Sequence, residues 1–228
     1  MQRILIIGAS RGIGHALSDE FIERGWHVTG TVRGRTETPL HALRDRHPEA
    51  VEIASLDITE PAQIAALRNA LKDQRFDILL VNAGTANSNQ SETIAETSTE
   101  EFTRVMITNA LSPMRVVEAL ADLVKSDGTI AVMSSGQGSI AGNTRGGHEV
   151  YRGAKAALNQ YMRSYAIREG QTRPMLLLAP GWIQTELDGP EARYTLEEST
   201  PKLADVILAQ AGRTGLRFED RDGQTVAW

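Results

Sequence analysis

Tyr151 and Lys155 stand four residues apart, the spacing that brings two side chains onto one face of a helix. A phenol with a pKa of about 10 is a poor base at neutral pH. A neighbouring ammonium favours the phenolate and lowers that value. A tyrosine tuned in this way can hand a proton to a carbonyl oxygen during reduction, or take it back in the reverse direction. Ser134 and Ser135 lie upstream; one hydroxyl can hold a carbonyl oxygen and stabilise the charge developing on it, leaving the other a structural role. Histidines 15, 27, 41, 47 and 148 show no metal-ligand spacing and read as surface or packing residues, with no metal expected. His148 is close enough to Tyr151 to line a substrate mouth. Trp182 and Tyr194 suit either a lid wall or simple packing.

Acid and hydroxyl must be brought together by the elements around them. Short apolar runs at Ile4–Ile7, His27–Val32, Val51–Leu56, Asp77–Val81, Thr129–Ser134 and Met175–Ala179 suit strands buried on both faces. Helix-like stretches at 13–24, 40–47, 61–73, 98–124 and 149–169 alternate with them. This rhythm predicts an α/β fold with a doubly wound parallel sheet and helices on both faces, of about seven strands. The 98–124 stretch opens on Ser98-Thr-Glu-Glu101, a capping-box pattern, and its apolar stripe takes in Phe102, Val105, Met106 and Asn109. An asparagine on that stripe needs hydrogen-bond partners. Segments 84–97, 136–147 and 181–200 read as loops. Each follows the carboxyl end of a strand, where open α/β sheets bind ligands.

Gly8-Ala-Ser-Arg-Gly12-Ile-Gly14 follows the first strand and opens the first helix. Glycine permits close backbone approach by a phosphate, and a helix N-terminus supplies free N–H groups and a favourable dipole. The loop residues Gly8, Ser10, Arg11, Gly12, Ile13 and Gly14 are therefore candidate contacts to a dinucleotide. An NAD site usually places Asp or Glu at the end of the second strand, but here the strand ends Thr31-Val32-Arg33. A carboxylate there would repel a 2′-phosphate, whereas arginine can bind it. Arg33 and Arg11 thus favour NADP(H) over NAD(H), with Arg35 also nearby.

The 228 residues carry a net charge of −5 and no cysteine. A mildly acidic chain without like-charge runs gives no footing for nucleic acid or membrane binding. No cysteine means no disulfide, thiolate metal site or cysteine nucleophile, and suits a cytoplasmic location. The absence of a linker or repeat predicts one domain over 1–228.

The G-x-x-x-G-x-G spacing resembles the short-chain dehydrogenase/reductase family, which has a Rossmann fold. Its loop often has Thr before the first glycine, where this chain has Ile7; the change removes a local hydrogen bond. The resemblance implies a catalytic tetrad of Asn109, Ser135, Tyr151 and Lys155, with Asn109 bending its helix or holding a water that links to Lys155. It implies that Asp57 contacts adenine, although Asp57 could also cap the helix beginning near Pro61. Asn82, Ala83 and Gly84 match the family's Asn-Ala-Gly motif beside the cofactor. Pro180, Gly181, Ile183 and Thr185 match its later cofactor segment, with Thr185 on the nicotinamide carboxamide. The interval from Ser135 to Tyr151 exceeds the common one, which brings Ser139 into contention. The whole stretch is similar to C-factor and Sniffer-type carbonyl reductases, where the longer interval is normal and the second serine is catalytic. The implied activity is NADP(H)-dependent reduction of an aldehyde or ketone, or its reverse, on a small-molecule substrate. A nucleotide-binding signalling protein on the same fold is the other reading. Family members often form homo-oligomers through helices matching 98–124 and 149–169, and some are monomers.

Overall fold

The computed structural model describes residues 1–34, 36–186 and 189–228; Arg35 lies outside them. The apolar runs become strands β1 (Arg3–Ile7), β2 (His27–Val32), β3 (Val51–Ser55), β4 (Phe76–Val81), β5 (Val124–Met133), β6 (Pro174–Ala179) and β7 (Gly215–Asp220). They pair in parallel in one sheet, ordered β3-β2-β1-β4-β5-β6-β7. Successive strand residues point to opposite faces, so both faces of a leucine- and isoleucine-rich strand need cover. Leu5, Ile7, Leu79, Val81, Ile130 and Val132 face one core; Ile4, Ile6, Ile78, Leu80 and Ala131 face the other.

Helices α1 (Gly12–Glu23), α2 (Pro39–Arg46), α3 (Pro61–Ala70), α4 (Thr99–Met106), α5 (Ser112–Leu120), α6 (Glu149–Arg168) and α7 (Leu196–Leu208) supply that cover. Leu17 and Phe21 of α1, Leu40 and Leu43 of α2, and Leu203 and Ile207 of α7 fill one core. Ile64 and Leu67 of α3, Val117 and Leu120 of α5, and Leu158 and Met162 of α6 fill the other. Among the described residues no helix is long and apolar enough to cross a membrane.

Three elements differ from the sequence expectation. The stretch 98–124 is not one helix: α4 and α5 are joined by a π-helical turn over Ile107–Leu111, a rarity that recurs at functional sites. Ser98 does cap α4 through its hydroxyl, 3.2 Å from the Glu101 N–H. Glu101 does not return the bond; its carboxylate takes the Ser88 N–H at 2.6 Å. Phe102, read into the apolar stripe, is 40% exposed. β5 starts earlier than Thr129, because exposed Lys125, Ser126 and Asp127 break the apolar run without breaking the strand. Part of the 181–200 segment, read as loop, is the first turn of α7. Pro201 sits inside that helix, beyond its first turn, where its missing N–H removes one backbone bond of the helix.

Candidate active site

The strand order reverses direction between β1 and β4, and the crevice at their carboxyl ends is the place for a ligand. Main chain from both strands meets there. Asn82 and Ala83 N–H groups both donate to Ile7 O at 2.9 Å, and Asn82 Nδ2 donates to Gly8 O at 2.7 Å. Gly8 has φ +88°, and a Cβ there would sit 2.8 Å from Ala83 Cα. A Cβ on Gly14 would sit 2.0 Å from Gly8 O. Glycine is required at both positions, so the loop wraps tightly around the start of α1. That helix has no side-chain cap bond and no acid in its first turn, which leaves its positive end to a phosphate.

The glycine loop is also tied to β2. The Gly8 N–H donates to Thr31 Oγ1 at 2.8 Å, and Ala9 N–H to Thr31 O at 2.8 Å. Thr31, 1% exposed in β2, was absent from the sequence candidates; a buried threonine one residue from the strand end was the available signal.

Arg33 follows the end of β2, exposed to solvent. Burial opposes the charge on Asp57, but two hydrogen bonds from Thr59 and the nearby Arg33 guanidinium hold its carboxyl below the ordinary carboxylate value. Asp57 does not cap α3. Its Oδ1 takes the Thr59 N–H and hydroxyl at 2.9 and 2.7 Å, and the cap position belongs to Glu60. Arg11 extends from the glycine loop to Glu186, 2.7 Å away. Both ends are about two-thirds exposed, so the pair contributes roughly 1 kcal/mol or less and can be exchanged for a phosphate. Thr185 lies over the same loop: a Cβ on Gly12 would be 3.7 Å from its Cγ2.

Asn109 and Lys155 come together beside Gly84. A Cβ there would lie 3.1 Å from Asn109 Oδ1 and 3.6 Å from Lys155 Nζ. Asn109, fully buried on the π turn, bonds the Thr85 main chain twice: Oδ1 takes its N–H at 2.8 Å, and Nδ2 donates to its carbonyl at 2.7 Å. Lys155, 4% exposed, donates to Met133 O at 2.9 Å, and burial pulls its pKa down to about 8. Its Nζ lies 5.8 Å from the centre of the Tyr151 ring. The lysine remains mostly protonated at pH 7.

The serines divide as their surroundings dictate. Ser134, 2% exposed, donates to Asn159 Oδ1 at 2.6 Å and is structural. Ser139, 3% exposed, accepts the Gly142 N–H at 2.9 Å. Ser135 is half-buried and accepts the Gln137 N–H at 3.1 Å. Pro180 is buried, and Gly181, at φ +85°, packs against Tyr194 and Arg221. The Ile183 side chain is 0% exposed in the core, which leaves its main chain for any cofactor contact. A separate cavity of about 490 Å³ opens between 137–147 and the outer side of α6; Tyr151, Ser135 and Lys155 do not line it.

The glycine cradle, the free end of α1 and the gap at Gly84 fit a dinucleotide laid across the switch point. The short chain dehydrogenase model matches residues 2–194. The chain belongs to the short-chain dehydrogenase family. A short-chain dehydrogenase/reductase from Burkholderia multivorans, solved with bound NADP, is 58% identical and superposes with a TM-score of 0.98, covering 100% of this chain and 99% of that one. The Myxococcus xanthus C-signal is 34% identical over 67% of this chain and 92% of its own. The carbonyl reductase Sniffer of D. melanogaster is 29% identical, with a TM-score of 0.89 over the whole of both chains. Within the family, the chain falls in the C-factor and carbonyl reductase branch.

Proposed function

We propose that this protein is an NADP(H)-dependent oxidoreductase that reduces an aldehyde or ketone to an alcohol, or runs the reverse reaction, as a single catalytic domain in the cytoplasm. The observation that carries the reading is the buried Lys155 ammonium beside Tyr151, at the same sheet end as the glycine cradle. The backbone of Gly8–Gly14 and the start of α1 would hold the pyrophosphate; Arg33 and Arg11 the 2′-phosphate; Asp57 the adenine. Asn82, Ala83, Gly84 and Lys155 would bound the nicotinamide ribose, with Pro180, Gly181, Ile183 and Thr185 along the nicotinamide. NADP(H), when bound, supplies or accepts the hydride. Tyr151 gives the carbonyl oxygen its proton, or removes it from the alcohol. Ser135 donates a hydrogen bond to that oxygen. Lys155 holds the tyrosine in a state able to exchange its proton, and Asn109 fixes the wall opposite.

The bound NADP of the Burkholderia protein and the carbonyl reductase activity named for Sniffer support the cofactor and the reaction class. Likeness to C-signal favours a second reading, an NADP(H)-binding signalling protein. The retained Tyr151–Lys155 pair favours turnover, since sensing alone needs no acid. A panel of aldehydes and ketones followed by NADPH absorbance, with NADH in parallel, tests the reading. Turnover with NADPH at a several-fold advantage is the expected result; no turnover on any carbonyl would favour the signalling role. Arg33→Ala is expected to weaken NADPH about tenfold, as loss of a charge-assisted bond implies, and to leave NADH nearly unchanged. An equal effect on both would remove the 2′-phosphate assignment.

A further inference from the structure

The chain enters the first turn of α6, which carries Tyr151, through three left-handed residues: Gly146, Gly147 and His148, with φ of 66°, 69° and 50°. Glycine adopts this conformation freely. Histidine does not, because its Cβ crowds the backbone, and a third glycine would relieve the strain. Strain retained in this way invites a search for what the side chain does. His148 Nδ1 lies 3.0 Å from Gln90 Oε1. That oxygen only accepts, so Nδ1 donates. The next residue repeats the link: Glu149 Oε2 accepts the Ile94 N–H at 2.7 Å. Two bonds therefore join the start of α6 to the 85–94 segment.

That segment is anchored on its far side as well. Arg104 donates to Ala86 O at 2.8 Å and to Thr85 Oγ1 at 3.1 Å, Glu101 takes the Ser88 N–H, and Asn109 holds Thr85. Hydrogen bonds tie Asn109 to Thr85 and Gln90 to His148; the chain from 85 to 90 joins the two, and His148 stands three residues ahead of Tyr151 at the start of α6. We propose that His148 is a positioning residue which, through Gln90, fixes the phenol of Tyr151 against the Gly84–Asn109 wall of the site. The proposal rests on Tyr151 being the acid. It makes His148 part of the reaction geometry without contact to the reacting atoms.

His148→Gly separates this role from a merely structural one, because it keeps the backbone conformation and removes the ring. The measurements are melting temperature, NADPH dissociation constant, and kcat and KM on a carbonyl accepted by the parent, for His148→Gly, Gln90→Ala and the double variant, with Tyr151→Phe alongside. The expected result is unchanged or raised melting, an NADPH constant within about twofold, and a kcat lowered about tenfold, since small misplacement of a reacting group is costly. The double variant should lose no more than either single one, because both break one link. A parental kcat in His148→Gly, losses that multiply, or a parallel fall in melting and NADPH binding would overturn the proposal. Parental turnover by Tyr151→Phe would instead remove the acid assignment beneath it. An inactive Tyr151→Phe beside a fully active His148→Gly would remove the positioning role alone.

Discussion

Lys155 answers to two opposed demands. Burial at 4% exposure disfavours its charge and brings its pKa to about 8, from an ordinary 10.5. The chemistry proposed for Tyr151 requires that charge. With a folded value below the unfolded one, the protonated lysine weakens the fold below pH 8, and the penalty fades as pH rises from 8 towards 10.5. Lys155→Met is therefore expected to melt no lower than the parent at pH 7 while losing about a hundredfold or more in turnover, as expected for removal of acid/base assistance. The parent should gain on the variant as pH is raised from 8 to 10.5. Paired melting curves across that range check both statements; a variant less stable than the parent at pH 7 would contradict them. The Tyr151–Lys155 pair and the glycine loop were legible in the sequence because their spacing is local. The Asn109 bonds to Thr85 were foreseen only as a need, since the partner lies 24 positions away.

At the scale of elements, the glycine loop depends on a strand it does not belong to. Thr31 of β2 supplies the acceptor for the Gly8 N–H. Thr31→Val leaves that N–H without a partner, a loss of about 1–3 kcal/mol. NADPH affinity is expected to fall about fivefold or more, with Thr31→Ser restoring most of it; fluorescence titration of NADPH measures both, and unchanged affinity in Thr31→Val would refute the dependence. Six strands and five helical stretches were legible from apolar runs and helical periodicity. α7 was hidden by Pro201 and by its place behind a loop. Its start does carry a signal, Thr195-Leu-Glu-Glu198, and the structure closes the full capping box there: Thr195 N–H to Glu198 Oε2, and Glu198 N–H to Thr195 Oγ1, each at 3.1 Å. β7 resists reading because Arg217, Glu219 and Asp220 interrupt its apolar residues, as suits an edge strand. The Arg11–Glu186 pair joins residues too far apart in sequence for any spacing rule.

Across the whole molecule, function gathers at the carboxyl ends of the strands, while the opposite end holds charges that concern stability. At that opposite end, burial and the Arg3 charge lower the pKa of His27, with Glu52 only partly offsetting them. Its Nδ1 is buried without a partner. The fold therefore prefers the neutral ring. Stability present above pH 6.5 erodes as pH falls through 6.5 towards the lower folded value, where the unfolded chain binds the proton first. The parent should lose melting temperature more steeply than His27→Gln between pH 6.5 and 5; identical slopes would exclude His27 as a cause. None of this touches the proposed chemistry, which turns on one phenol. The most direct measurement is turnover of an accepted carbonyl by Tyr151→Phe, with NADPH binding measured on the same sample. NADPH affinity close to the parent's with nearly all turnover lost is the predicted result, and a variant that binds NADPH and reduces the carbonyl at the parental rate would contradict it.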